Sequence, residues 1–181
     1  MRGQQGNIIL IGMPGAGKST LGVLLAKALG YDFLDTDVMI QAHEGRLLQQ
    51  ILDAEGPDGF CELEARYLSE LAVDRCVVAT GGSVVYSADT MRHLKSTGVT
   101  VYLQLSLPEL LPRLDNLDIR GVVMRAGQTL SDLYRERVPL YERYTDVTIP
   151  CGGDDHEAIV AHTVTELTLF APGAPMEQRL H

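Results

Sequence analysis

IILIGMPGAGKST, residues 8–20, is the stretch from which the fold can be read. Ile8 to Ile11 are apolar at every position, so the strand they form is buried on both faces, as strands inside parallel sheets are. The chain then breaks into Gly12-Met-Pro-Gly-Ala-Gly17-Lys18-Ser19, which fits G-x-x-x-x-G-K-[ST]. Glycines at this spacing let backbone N–H groups turn inward around phosphate oxygens; the lysine reaches the outer phosphates and the Ser19 hydroxyl suits magnesium. An amphipathic helix follows over Ser19–Leu29, with Leu21, Leu25 and Ala28 among its apolar positions and Gly30 as its stop. Its N-terminus adds partial positive charge to the loop. The strand before and the helix after are the context this motif requires. The expectation is a nucleotide-phosphate loop formed by Gly15, Ala16, Gly17, Lys18, Ser19 and Thr20.

Outward from that loop the chain alternates strand and helix. YDFLDTD (31–37) reads as a second strand ending in acids, and CVVATGG (76–82) as a third running into glycines. VTVYLQL (99–105) and DVTIP (146–150) complete five strands. Helices are expected over Val38–Glu55 with a break near Gly45, then Phe60–Asp74 after a turn at GPDG (56–59). Further helices are expected at Ser87–Ser96 and Pro108–Leu114, over 130–144 with a bend at Pro139, and at Asp154–Leu169. The fold class is α/β: a three-layer arrangement with a five-stranded parallel sheet between helices. Residues 1–170 read as one domain, with a mobile lid over about 112–130 and a flexible tail over 171–181.

Composition bounds the partners. The formal net charge of -9 argues against a nucleic-acid partner, which calls for a basic face. No apolar run approaches the roughly 18 residues of a membrane span, so no membrane partner is expected. Cys61, Cys76 and Cys151 are widely spaced, with neither a CxxC pair nor a zinc pattern. Together with the lack of a secretory leader, this predicts a cytoplasmic protein.

Asp35 and Asp37 fall at the end of the second strand, the edge where parallel sheets bind ligands. Alternation along an extended chain puts both carboxylates on one face. One is then placed to hold water on a metal ion and the other to hydrogen-bond or deprotonate a hydroxyl. The plainer alternative is a turn acid plus a helix N-cap. Thr80-Gly81-Gly82-Ser83 ends the third strand at the same edge, either as a bare surface for a ligand or as a tight turn. Arg113, Arg120 and Arg137 lie in or near the lid and the helix after it, where arginines neutralise a transferring phosphoryl group. Arg125 and Arg135 read as surface residues.

These segments together resemble the shikimate kinase family, a branch of the P-loop kinases. The matching pieces are GMPGAGKST, FLDTDVMI, FCELE, ATGGSVVYS, DIRG and RVPLYERY. The resemblance implies an ATP- and Mg2+-dependent kinase, monomeric, that phosphorylates a hydroxyl of a small carboxylic acid, by default shikimate. It implies catalytic roles for Lys18, Asp37 and Arg120. Arg113 and Arg120 would join the loop in holding ATP, and Ser19 and Asp35 would serve the metal. Asp37, Cys61, Gly81, Gly82, Ser83 and Arg137 would line the acceptor pocket.

Three positions depart from the family pattern. Cys61 stands where the family has a second carboxylate-binding arginine, the one that Glu64 orients. Ser83 replaces a glycine, and Gly121-Val122 follows the lid arginine in place of Pro-Leu. Cysteine cannot replace a guanidinium's paired hydrogen bonds, so another hydroxy acid or a hydroxy amino acid such as homoserine is a competing acceptor. A non-catalytic nucleotide-binding regulator and a nucleoside monophosphate kinase are further alternatives.

Overall fold

In the computed structural model, which describes residues 6–115, 121–153 and 155–170, the opening motif sits at the centre of the sheet. Strand β1 (Asn7–Ile11) is buried at all five positions. It is flanked by β3 (Cys76–Ala79) on one side and β4 (Gly98–Gln104) on the other. β2 (Asp32–Asp35) and β5 (Val147–Pro150) form the edges, giving the order β2-β3-β1-β4-β5. Every pairing is parallel. Five strand ends therefore open on one rim, and the segments that follow β1, β2 and β3 meet there. No helix among the described residues is long and apolar enough to cross a membrane.

Helix α1 (Lys18–Leu29) begins directly from the glycine loop. Gly15 and Gly17 have φ of 79° and 89°, a left-handed conformation that side chains rarely tolerate, so the loop can be built only with glycine there. α1 packs against the sheet and against α7 (His156–Leu169).

The second strand is shorter than its sequence pattern predicts. β2 ends at Asp35 and α2 (Thr36–Glu44) starts at once, so Asp37 lies in the first turn of a helix and not on an extended chain. Asp35 is the N-cap: its Oδ1 accepts from the N–H groups of Asp37 and Val38 at 3.0 and 3.2 Å. The short polar side chain satisfies free helix donors better than another strand residue would.

The expected turn at 56–59 is a kink inside one long helix, α3 (Leu48–Ser69), with Gly56 at φ 70°, ψ 175°. Pro57 restarts the helix where its missing N–H costs nothing. α3 ends at Ser69, five residues short of the sequence expectation. α4 (Ala88–Thr97) and α5 (Leu107–Asp115) follow the predicted positions, and α5 takes in Arg113 from the range expected as lid. α6 (Leu130–Tyr144) runs unbroken through Pro139. The turns on either side of that proline are anchored by buried Arg137, bonded to Tyr86 and the Val123 carbonyl, and by buried Tyr141, stacked on Tyr102 of β4 at 5.3 Å.

Gly98 opens β4 opposite Asn7, so close that a Cβ there would overlap the Asn7 backbone. Gly98→Ala is expected to destabilise the chain by about 1–3 kcal/mol, read as a lower urea midpoint with unchanged slope.

Candidate active site

A cavity of about 630 Å³ opens on the rim where the strands end. Its lining joins residues far apart in sequence: Lys18, Ser19, Asp35, Asp37, Gly81, Gly82, Ser83, Arg113 and Arg137 all face it. Gly15, Gly17 and Thr20 line it as well. Ala16 does not; it is buried beneath the loop, its N–H bonded to the Met13 carbonyl at 3.1 Å. Arg120 lies outside the described residues, as does the tail from Ala171.

Lys18 is 9% exposed, and its Nζ donates to the carbonyls of Gly12 and Met13 at 2.8 and 2.9 Å. Burial lowers its pKa to about 8 against the pull of Asp37. A phosphate arriving beside it would stabilise the cation and reverse that shift. Ser19 Oγ donates to Asp35 Oδ2 at 2.6 Å, so Asp35 caps a helix with one oxygen and meets the loop hydroxyl with the other. The helix cap expected at this turn is therefore Asp35, and the same side chain also meets the loop.

Asp37 projects from the first turn of α2, and burial, helped by the neighbouring Asp35 charge, raises its pKa to about 6. Beside it runs the glycine pair after β3. Thr80 Oγ1 donates to the Leu10 carbonyl at 2.9 Å, the Gly81 N–H to Thr36 Oγ1 at 3.1 Å, and Tyr141 to the Gly82 carbonyl at 2.7 Å. This segment is thus tied to β1, α2 and α6. A Cβ on Gly81 would strike Glu64 Oε1 and come within 2.8 Å of Asp37 Oδ1; one on Gly82 would come within 2.9 Å of Arg137 Nη1. The bare backbone is what allows two carboxyls and a guanidinium to crowd the same floor.

Arg137 is 1% exposed. Its Nε donates to Tyr86 Oη at 3.0 Å and its Nη2 to the Val123 carbonyl at 2.7 Å, with the guanidinium 5.1 Å from the Tyr86 ring centre. Nη1 is the end turned toward Gly82 and the cavity. Arg113 is tethered at the opposite end, its Nη2 donating to the carbonyls of Cys151 and Gly153 at 3.2 and 3.0 Å.

Cys61 is not among the cavity's lining residues. It borders a smaller pocket of about 170 Å³ with Tyr86, Val123 and Arg125. One residue is a turn of about 100° on a helix, so Phe60 occupies the cavity face of α3 and Cys61 looks elsewhere. Burial raises the Cys61 thiol to about 11, leaving it uncharged.

Several lining residues carry no sequence signal that places them there. Phe60 and Leu48 give the cavity an apolar wall, and His156, first residue of α7, sits on it too. They are a core aromatic, a helix opener and a surface histidine by pattern, and only the rim brings them in. Glu64, from the matched segment FCELE, is outside the cavity lining but packs against Gly81 and Ser83. It is 1% exposed, and its Oε2 accepts from Ser83 at 2.6 Å. Burial, then the charge of Asp37, raises it from an ordinary 4.5 to about 7.

A glycine loop with a buried lysine, facing a carboxylate and an arginine across one cavity, is the architecture of a P-loop phosphotransferase. Comparison with known proteins narrows the class. The shikimate kinase family model matches residues 14–168. The shikimate kinase of Mannheimia succiniciproducens is 35% identical over 91% of this chain and 96% of its own. That of Actinobacillus succinogenes is 38% identical over 89% and 94%. Among solved structures, shikimate kinase from Acinetobacter baumannii in complex with shikimate superposes with a TM-score of 0.80 at 31% identity, covering 90% of this chain and 93% of that one. A gluconokinase from Sinorhizobium meliloti, at 20% identity and a TM-score of 0.53, shares the fold. The chain belongs to the shikimate kinase family and is an ATP-dependent phosphotransferase acting on a hydroxyl group.

The raised Glu64 carboxyl has a consequence for stability. Between about pH 4.5 and pH 7 the folded chain keeps a proton that the unfolded chain has released, so this group's contribution to stability falls as pH rises through that window. Glu64→Gln removes the effect. Relative to the parent chain, its Tm is expected to be more favourable at about pH 8 than at about pH 5, measured by calorimetry.

Proposed function

We propose that this chain transfers the γ-phosphoryl group of ATP to the 3-hydroxyl of shikimate, giving shikimate 3-phosphate. The observation that carries the reading is the meeting of Lys18, Asp37 and Arg137 on one cavity. A base and a cation at the acceptor end suit a molecule bearing both a hydroxyl and a carboxylate. The shikimate complex of the Acinetobacter baumannii relative supports the same acceptor.

In this mechanism the loop amides and Lys18 hold the β- and γ-phosphates. Arg137 pairs with the acceptor's carboxylate and fixes its orientation. Asp37 accepts the proton of the acceptor hydroxyl as that oxygen bonds to the γ-phosphorus and the bond to the ADP oxygen breaks. Lys18 stabilises the charge that moves onto the transferring group and ADP.

Ser19 and Asp35 suit a magnesium ion. A hydroxyl and a carboxylate oxygen already meet there, and the described residues hold no cluster of three or more ligating side chains. Ser19 and Asp35 would hold the ion, which would supply charge neutralisation to the bound phosphates.

The test is ATP consumption with shikimate and with homoserine. Turnover is expected with shikimate and not with homoserine, and shikimate-independent hydrolysis alone would sink the proposal. Asp37→Asn is expected to lower kcat on the order of 10²–10⁴-fold without changing the fold. Arg137→Lys keeps the charge but loses paired hydrogen bonds, and is expected to raise the shikimate KM about tenfold or more while sparing that for ATP.

A further inference from the structure

Glu64 has no place in that mechanism, yet it is fully buried at the acceptor end. Its Oε2 accepts from Ser83, and its Oε1 has no hydrogen-bond partner among the described residues. That free oxygen lies over Gly81 together with Asp37 Oδ1, while Arg137 Nη1 lies over Gly82. The two glycines are adjacent, and the Glu64 carboxyl feels the Arg137 charge across the bare pair although the two groups form no ion pair.

We propose that Glu64 is a positioning residue that sets acceptor specificity: protonated, it leaves Arg137 to a carboxylate-bearing acceptor, and ionised, it competes for that cation and disfavours such acceptors. The proposal rests on Arg137 receiving the acceptor's carboxylate.

The surroundings make Glu64 free to switch. Among the described residues, no cation hydrogen-bonds to it. From its own helix, the nearest titratable group is the Cys61 thiol, held neutral by burial. Asp37 faces it from α2 and Lys18 from α1, and Arg137 from α6. On the other side, Val84, Ser87 and Thr90 contribute only aliphatic and hydroxyl groups. The burial that raises the carboxyl to about 7 places the change in the neutral range. Ser83 opposes the shift, because its hydroxyl donates to the ionised form. An anion at Arg137 and an ionised Glu64 disfavour one another, and by linkage each weakens the other equally.

The experiment is steady-state kinetics of the full chain with ATP and shikimate across neutral to alkaline pH, for the parent, Glu64→Gln and Ser83→Ala. In the parent, the shikimate KM is expected to rise with pH, about tenfold for each unit by which bound shikimate raises the Glu64 pKa. In Glu64→Gln it stays flat. In Ser83→Ala, which leaves the carboxyl in place, the rise moves to higher pH. The KM for ATP changes far less among the three than the shikimate KM, because Glu64 is the weakest of the charges that act on Lys18. A parent with no rise, a Glu64→Gln variant with the parent's rise, or an unmoved Ser83→Ala profile overturns the role of Glu64. Absence of shikimate turnover in the parent at every pH overturns the acceptor assignment, and the role of Glu64 with it.

Discussion

Two adjacent residues without side chains hold the acceptor end together. Gly81 and Gly82 form a floor on which Asp37, Glu64 and Arg137 converge, and a Cβ at either position would displace a charged group. That floor is rigid because its neighbours are bonded outward, to β1 through Thr80, to α2 through Thr36 and to α6 through Tyr141. The sheet's parallel order then brings the glycine loop of β1 to the same rim. Donor and acceptor ends share one cavity because every strand points the same way.

Burial of charge is the second constraint. Lys18, Glu64 and Arg137 are buried with Asp37 half-buried beside them, so cations and carboxyls offset one another there. Desolvation leads the shifts of Lys18, Asp37 and Glu64 alike, lowering the lysine and raising the carboxyls. A site poised in this way would gain from an incoming anion, since phosphate beside Lys18 or a carboxylate beside Arg137 would add counter-charge. Cys61 and Ser83 belong to the same balance. Cys61 is a neutral thiol, and the Ser83 hydroxyl donates to Glu64.

Much of this was legible along the chain, and the reasons differ by element. The apolar run of β1 and the glycine spacing after it are local signals, and they define both the strand and the loop without outside help. The five strands follow from the same kind of evidence. The start of α2 was missed because Thr36 and Asp37 continue an extended pattern until Asp35 caps a helix. The turn read at GPDG became a kink because the packing of α3 holds the helix on both sides of Gly56. In the site, Leu48 and His156 carry no motif that separates them from core or surface residues, while Phe60 and Glu64 belong to the segment FCELE, which does not reveal that one meets the cavity and the other its glycine floor.

The sequence by itself determined the fold class, the phosphate loop and the family, because each depends on residues adjacent or regularly spaced along the chain. Only the tertiary structure decided that Phe60 and not Cys61 faces the cavity, that Asp35 acts as cap and loop partner together, and that Ser83 holds Glu64 behind the glycine floor. Those outcomes depend on helix rotation and on side chains from separate elements being buried against one another, quantities set by packing in three dimensions that no local pattern encodes.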